Sequence, residues 1–180
     1  MNTTQSKISS AGRKMAVILK IGGVLTGIAA LLSLLAIGIL LLGQAPIRQS
    51  FLSAFDVTAN NGTTIHIAPR PLLLLFVLLL ADTAFLAVIL FLVHAIFRDI
   101  GKGCTPFTHQ NTARIKGIAI AAILLSLVGG CADAFVDYYT IGELTWRVNL
   151  VGLISGMAIY CIALIFDYGC DLQRQSDETL

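Results

Sequence analysis

The sequence predicts an all-α membrane protein, a bundle of four transmembrane helices with a small β-hairpin in the first outer loop. Three observations predict it. Hydrophobic residues make up 57% of the 180 residues and charged residues 12%, against the roughly 25% charge of a soluble domain. Four apolar stretches each reach the ~20 residues that a helix needs to cross a bilayer. None of them alternates as a strand does, and backbone groups in lipid must be satisfied within the segment, which leaves helices. With a mean hydropathy of +0.87, the chain is not a disordered segment, a basic nucleic-acid binder or a water-soluble domain. Its length is that of one domain, 1–180.

The first helix is expected over about 15–43. It is apolar from Ile21 to Leu42, with no charge between Lys20 and Arg48. This run is longer than the 7–15 residues of a signal-peptide core and no A-x-A site follows, so a retained anchor is expected. The second helix, 71–98, is apolar from Pro71 to Phe97 apart from Asp82 and His94. The third, 109–136, has its apolar run from Gly117 to Ala134. Thr108 is placed to cap it, with Asn111 as a capping-box partner, so it starts near His109 and projects about two turns beyond the bilayer. The fourth helix, 147–170, is apolar from Val148 to Phe166.

Lys and Arg set the orientation. The first tail with the start of the first helix (Lys7, Arg13, Lys14, Lys20), the stretch from Arg98 into the start of the third helix (Arg98, Lys102, Arg114, Lys116) and the last tail (Arg174) together hold nine; the other side holds three, Arg48, Arg70 and Arg147. Both termini and the 99–108 loop are therefore expected in the cytoplasm. In the outer loop 44–70, two β-rich runs flank Asn60-Asn61-Gly62, a hairpin signal. Asn61-Gly62-Thr63 also fits a glycosylation acceptor, but the turn already accounts for the glycine. In the second outer loop, 137–146, Tyr138, Tyr139 and Trp146 sit where an aromatic belt belongs.

Asp82 lies about 16 Å into its helix, near the midplane. Acids there are costly and are functional candidates by default. Ser33, Ser126 and Tyr160 share its depth by the same counting. Two readings stand: a protonated acid hydrogen-bonded across the bundle, or a proton- or cation-coupling site. Asp133 and Asp137 are expected to pair with Arg70 or Arg147 at the rim. His94 reads as an interfacial or bundle-facing polar group. Cys131 and Cys161 read as small packing residues, and Cys104 and Cys170 as reduced thiols on the cytoplasmic side. No C-x-x-C, phosphate loop, nucleophile elbow or metalloprotease motif occurs. The sequence therefore nominates no enzyme, cofactor or metal. Gly23-x-x-x-Gly27 and Gly152-x-x-x-Gly156 are close-packing motifs that serve internal packing or dimerisation.

Two segments on the expected cytoplasmic side carry a resemblance. One runs Gly101-Lys102-Gly103-Cys104-Thr105-Pro106-Phe107-Thr108, then Asn111, Arg114, Ile115 and Ile118. The other runs Phe166-Asp167-Tyr168-Gly169, then Leu172, Gln173 and Ser176-Asp177-Glu178-Thr179-Leu180. With four helices over nearly the whole chain, these resemble the bacterial membrane family called domain of unknown function 2975. The family places one residue between Gly and Pro-Phe, where Cys104 and Thr105 both stand here. The resemblance implies a bacterial inner-membrane protein without assigned activity or catalytic residues, encoded beside a small helix-turn-helix regulator.

The candidate functional residues are thus Asp82, Asn111, Arg114, Asp167, Gln173 and Asp177. Arg114 is expected to pair with Asp167 or Asp171, so that these groups either staple helix ends or form a docking surface. The leading expectation is a membrane-embedded sensor, regulator or scaffold acting through its cytoplasmic loop and tail. Its expected partners are the lipid bilayer and a cytoplasmic protein such as a small helix-turn-helix regulator, with no direct nucleic-acid contact. The alternative is a small oligomeric transporter or channel component using Asp82.

Overall fold

The computed structural model describes residues 3–58, 64–65, 68–102, 107–141 and 149–178, with side chains at all of these except 3–9, 57–58, 65, 139–141 and 177. Among the described residues there are five helices: α1 (Thr3–Leu42), α2 (Ala45–Ser53), α3 (Pro69–Gly101), α4 (His109–Ile141) and α5 (Leu150–Glu178). Four of them, α1, α3, α4 and α5, are long and apolar enough to cross a membrane. The chain is accordingly a multi-pass membrane protein by length and composition. Val57–Thr58, β1, and Thr64–Ile65, β2, form a short antiparallel ladder, with Val57 opposite Ile65 and Thr58 opposite Thr64. The residues expected to turn between them, 59–63, lie outside the described ones.

Local chemistry explains the helix ends. Two prolines, Pro69 and Pro71, open α3 two residues earlier than expected. Ala68 before them is extended (φ −63°, ψ 152°), and a first-turn proline gives up an N–H that has no intrahelical acceptor. α4 begins at His109. The Asn111 amide donates to Thr108 Oγ1 at 3.2 Å, an N-cap bond. Replacing Thr108 by Ala should cost about 1 kcal/mol and speed hydrogen exchange at the amides of 109–112; unchanged exchange there would remove the cap from the account. α5 starts at Leu150, where the Gly152 amide donates to Asn149 Oδ1 at 3.0 Å. That cap marks the start of the described helix; Arg147, the expected start, lies outside the described residues.

The 44–70 segment contains a helix that the turn-rich reading of it did not anticipate. Pro46 stands in the first turn of α2, after an extended Gln44 (φ −61°, ψ 152°). Ile47, Phe51 and Phe55 recur every fourth residue. Phe51 packs at a tilt and Phe55 edge-on against Phe76 of α3, with ring centroids 6.0 and 5.7 Å away. So short a helix is held by this ring contact with α3, while Ile47 of the same stripe stays exposed.

The four long helices do not close around a shared core. α1 packs on α3, α3 on α4 and α4 on α5, and no other pair of long helices packs extensively among the described residues. The expected bundle is therefore an open row. Lipid is as apolar as leucine, so helices in it associate through close packing and not through expulsion of apolar surface. Small residues make the contacts: Ala36 and Ser33 of α1, Ala119 and Ala121 of α4 and Ala163 of α5 are all buried. Large residues face outward, with Val151 76% and Phe91 70% exposed.

Chain reversal brings one end of every long helix together. A Cβ on Gly12 of α1 would touch Gly101 of α3, Arg114 of α4 reaches Asp99 of α3, and His109 of α4 reaches Asp167 of α5. This end also holds Arg13, Lys14, Arg98, Lys102, Lys116 and Arg174, and is called the basic end below.

Candidate functional site

Two polar zones stand out: a set of paired groups at the basic end, and a cavity around Asp82. Heptad spacing builds the first. His109, Thr112 and Lys116 occupy one face of α4, directed at α5, while Asn111 and Arg114 lie on the opposite face, directed at α3. Lys116 Nζ donates to Asp167 Oδ2 at 2.7 Å. His109 Nδ1 lies 3.2 Å from Asp167 Oδ1, and its Nε2 lies 3.7 Å from Asp171 Oδ1. Thr112 is buried against Cys170, with Oγ1 3.9 Å from Sγ.

Arg114 does not pair with Asp167 or Asp171, as its sequence position had led us to expect. Its Nη1 donates to Asp99 Oδ2 at 2.6 Å and to Asn111 Oδ1 at 2.9 Å. Arg114 is two residues, or about 200°, round the helix from Thr112 and Lys116, so it meets α3 where they meet α5. Asn111 is 3% exposed, which leaves it little surface to offer a partner. Gln173 is exposed on a shallow groove of about 310 Å³ shared with Phe107, His109 and Cys170. Phe107 stacks on Phe166 at 5.0 Å, tying the start of α4 to α5. Asp177 lies on α5, its side chain outside the described ones. Asp99, His109 and Lys116, which carry most of the pairing, were missed as site residues. The seven-residue spacing of His109 and Lys116, and the four-residue spacing of Asp167 and Asp171, were the available signals.

The second zone is a cavity of about 340 Å³ on α4, flanked by α3 and α5. Asp82, Ser126, Asp133, Asn149 and Ser155 line it together with glycines of α4 and α5. The glycines make the space. Asp82 Oδ1 lies 3.9 Å from the position that a Cβ on Gly129 would occupy, and a Cβ on Gly152 would collide with Ser126 Oγ. Ser126 itself donates to Ala122 O at 2.9 Å. Neither Asp82 nor Asp133 has a hydrogen-bond donor or cationic side chain as partner among the described residues. The hydrogen bond across the bundle that one of the two readings of Asp82 needs is not formed among the described residues, and the carboxylate faces the cavity. Of the groups at its depth only Ser126 joins it. Ser33 faces α3 from α1 and donates to Ala29 O at 2.9 Å, and Tyr160 is exposed. Arg147, expected near Asp133, lies outside the described residues.

The cavity runs along α4 from Asp82 beside Gly129 toward Asn149, away from the basic end. On its other side α4 and α5 close tightly: a Cβ on Gly156 would lie 2.6 Å from Ile123 Cγ1 and 3.1 Å from Ala119 O. The cavity is therefore a pit with a floor near the middle of the helices. No family model matches the chain, and no curated protein or solved structure matches it. The site must be read from its own chemistry. Two carboxylates, two hydroxyls and an amide, set among glycines, offer oxygen ligands to a small cationic or hydrogen-bonding solute. Among the described residues no three His, Cys, Asp or Glu side chains converge to hold a metal ion.

Proposed function

We propose that the chain is a bacterial inner-membrane sensor or regulator, similar to the domain of unknown function 2975 family. In this reading both termini and the basic end lie in the cytoplasm, and the 57–65 ladder is a β-hairpin on the outer face. The Asp82 cavity takes a small cationic or polar solute from the outer side, and the paired helix ends carry the response to a cytoplasmic protein. One observation carries the reading: the Asp82 carboxylate, without a partner among the described residues, opens into a cavity that also carries Asp133, Ser126, Ser155 and Asn149. The pit is floored, and the basic end beneath it is cross-linked by ion pairs on both faces of α4. A solute held there biases the packing of α3 and α5 on α4, the element that both zones share.

The test is a thermal-shift titration of the detergent-purified protein with sodium, potassium, calcium and small organic ammonium ions. A ligand at about one hundred times its Kd stabilises the protein by about 2.7 kcal/mol. At least one of these cations should raise the melting temperature, and Asp82→Asn should abolish the shift while leaving the ligand-free protein no less stable. No shift with any cation, or an equal shift in Asp82→Asn, would sink the reading.

The same pit favours a second reading, a small oligomeric transporter component. Cation flux into vesicles carrying the protein, lost in Asp82→Asn, would support it over the sensor.

A further inference from the structure

A second groove, of about 550 Å³, lies on the opposite side of α3, between α1 and α3. Lys20, Gly23, Val24, Ala87, Phe91 and His94 are among its lining residues. It has a polar mouth and an apolar length. His94 sits at the mouth, its Nδ1 donating to Ala16 O of α1 at 3.0 Å, which ties the two helices and fixes the ring. Lys20 stands about 6 Å further along α1, by helical rise, where the apolar run begins. Beyond it the walls are apolar, and a Cβ on Gly23 would meet no atom within 4 Å, so the glycine leaves the groove open.

We propose that this groove binds an anionic phospholipid, its phosphate at Lys20 and His94 and one acyl chain along Gly23, Val24, Ala87 and Phe91. Charge complementarity selects the occupant. Lys20 has no acidic partner among the described residues, and the carboxylates nearest in depth are already engaged: Asp99 by Arg114 and Asp167 by Lys116. A second copy laid on this face would offer Lys20 an apolar helix and leave its charge unpaired, at a cost. A lipid supplies the phosphate and the chain in one molecule. Basic residues at a helix–membrane junction are the side chains that hold anionic headgroups, and Lys20 reaches that level by extending its stem toward the basic end.

The experiment uses the full chain in nanodiscs of phosphatidylcholine with a minority of phosphatidylglycerol, followed by gentle extraction and native mass spectrometry of retained lipid. The wild type should retain phosphatidylglycerol enriched about fivefold over its share of the bilayer, the factor that one basic side chain near the surface provides. Lys20→Gln should bring the enrichment close to parity. Gly23→Leu fills the groove without meeting other protein atoms at its Cβ, and should remove the retained lipid with the melting temperature unchanged. Arg174→Gln, on the exposed tail, should leave the enrichment intact. Equal retention of the two lipids by the wild type would overturn the proposal. So would full enrichment in Lys20→Gln, or a dimer without lipid as the species that Gly23→Leu abolishes.

Discussion

Gly156→Val should separate α5 from α4, while Gly27→Val should leave the protein intact. Both glycines belong to a small-x-x-x-small motif, and sequence does not rank them. The surroundings do. A Cβ on Gly156 would lie 2.6 Å from Ile123 Cγ1 and 3.1 Å from the Ala119 carbonyl. The carbonyl belongs to the α4 backbone and cannot move aside as a side-chain terminus can. Overpacking of a close contact costs about 1–3 kcal/mol, and the upper part of that range is expected because, among the described residues, α5 packs extensively on no helix but α4. A Cβ on Gly27 meets nothing within 4 Å. The measurement is thermal unfolding in detergent, with a cysteine pair at Thr112→Cys and native Cys170 as reporter of the α4–α5 contact. Gly156→Val should lower the melting temperature by several degrees and abolish that cross-link. Equal effects of the two substitutions would mean that α5 is not held at Gly156.

The second large effect is at Arg114. Its guanidinium joins Asp99 of α3 to Asn111 of α4 and is itself 13% exposed, with Asp99 22% exposed. Charge-assisted bonds of this kind are among the stronger hydrogen bonds, and removing one partner strands the other in a site of reduced hydration. Arg114→Ala should cost about 2–3 kcal/mol. Arg114→Lys should recover only part of it, since an ammonium lacks the planar fork that serves two acceptors. A double-mutant cycle separates the partners. Arg114→Ala with Asp99→Asn should fall short of the sum of the single effects by about 1–2 kcal/mol, whereas Arg114→Ala with Asp167→Asn should be additive within about 0.5 kcal/mol. The Lys116–Asp167 pair, about a third exposed on both sides, is screened by solvent and should contribute less than the Arg114 pairing. Strong coupling of Arg114 to Asp167 would reinstate the pairing that sequence alone favoured.

That misassignment shows where sequence reading stops. Arg114 and Asp167 were joined because both are polar and both sit at helix ends on one side. Which face of α4 each residue occupies was within reach, since His109, Thr112 and Lys116 share a stripe that Arg114 leaves. Which neighbour that stripe faces was not, because helix order around α4 is a tertiary choice. The Asp82 cavity has the same character. An acid deep in an apolar run was visible from its position, and Ser126 from matching depth. Asp133 shares the face of α4 that carries Ser126, seven residues on, whereas Asn149 and Ser155 joined them only through the approach of α5, and the cavity exists because glycines lie at the crossing. α2 was missed because Asn-Gly and β-branched residues dominated the reading of 44–70, although Pro46 and the Ile47, Phe51, Phe55 spacing were signals for a short helix.

By itself the sequence determined the number of long apolar helices, the cap at Thr108 and the one acid placed deep in an apolar run, while α1 begins twelve residues earlier than its apolar pattern indicated and α5 runs eight residues further. The first three follow from local physics: apolar length against bilayer thickness, and terminal amides that need an acceptor. Only the tertiary structure decided that the helices stand in an open row, that one glycine motif is packed and the other open, and that Asp82 faces a cavity and not a partner. In a chain that is apolar on every side, hydrophobicity no longer distinguishes inside from outside. The fit of small residues at each crossing then decides which faces meet.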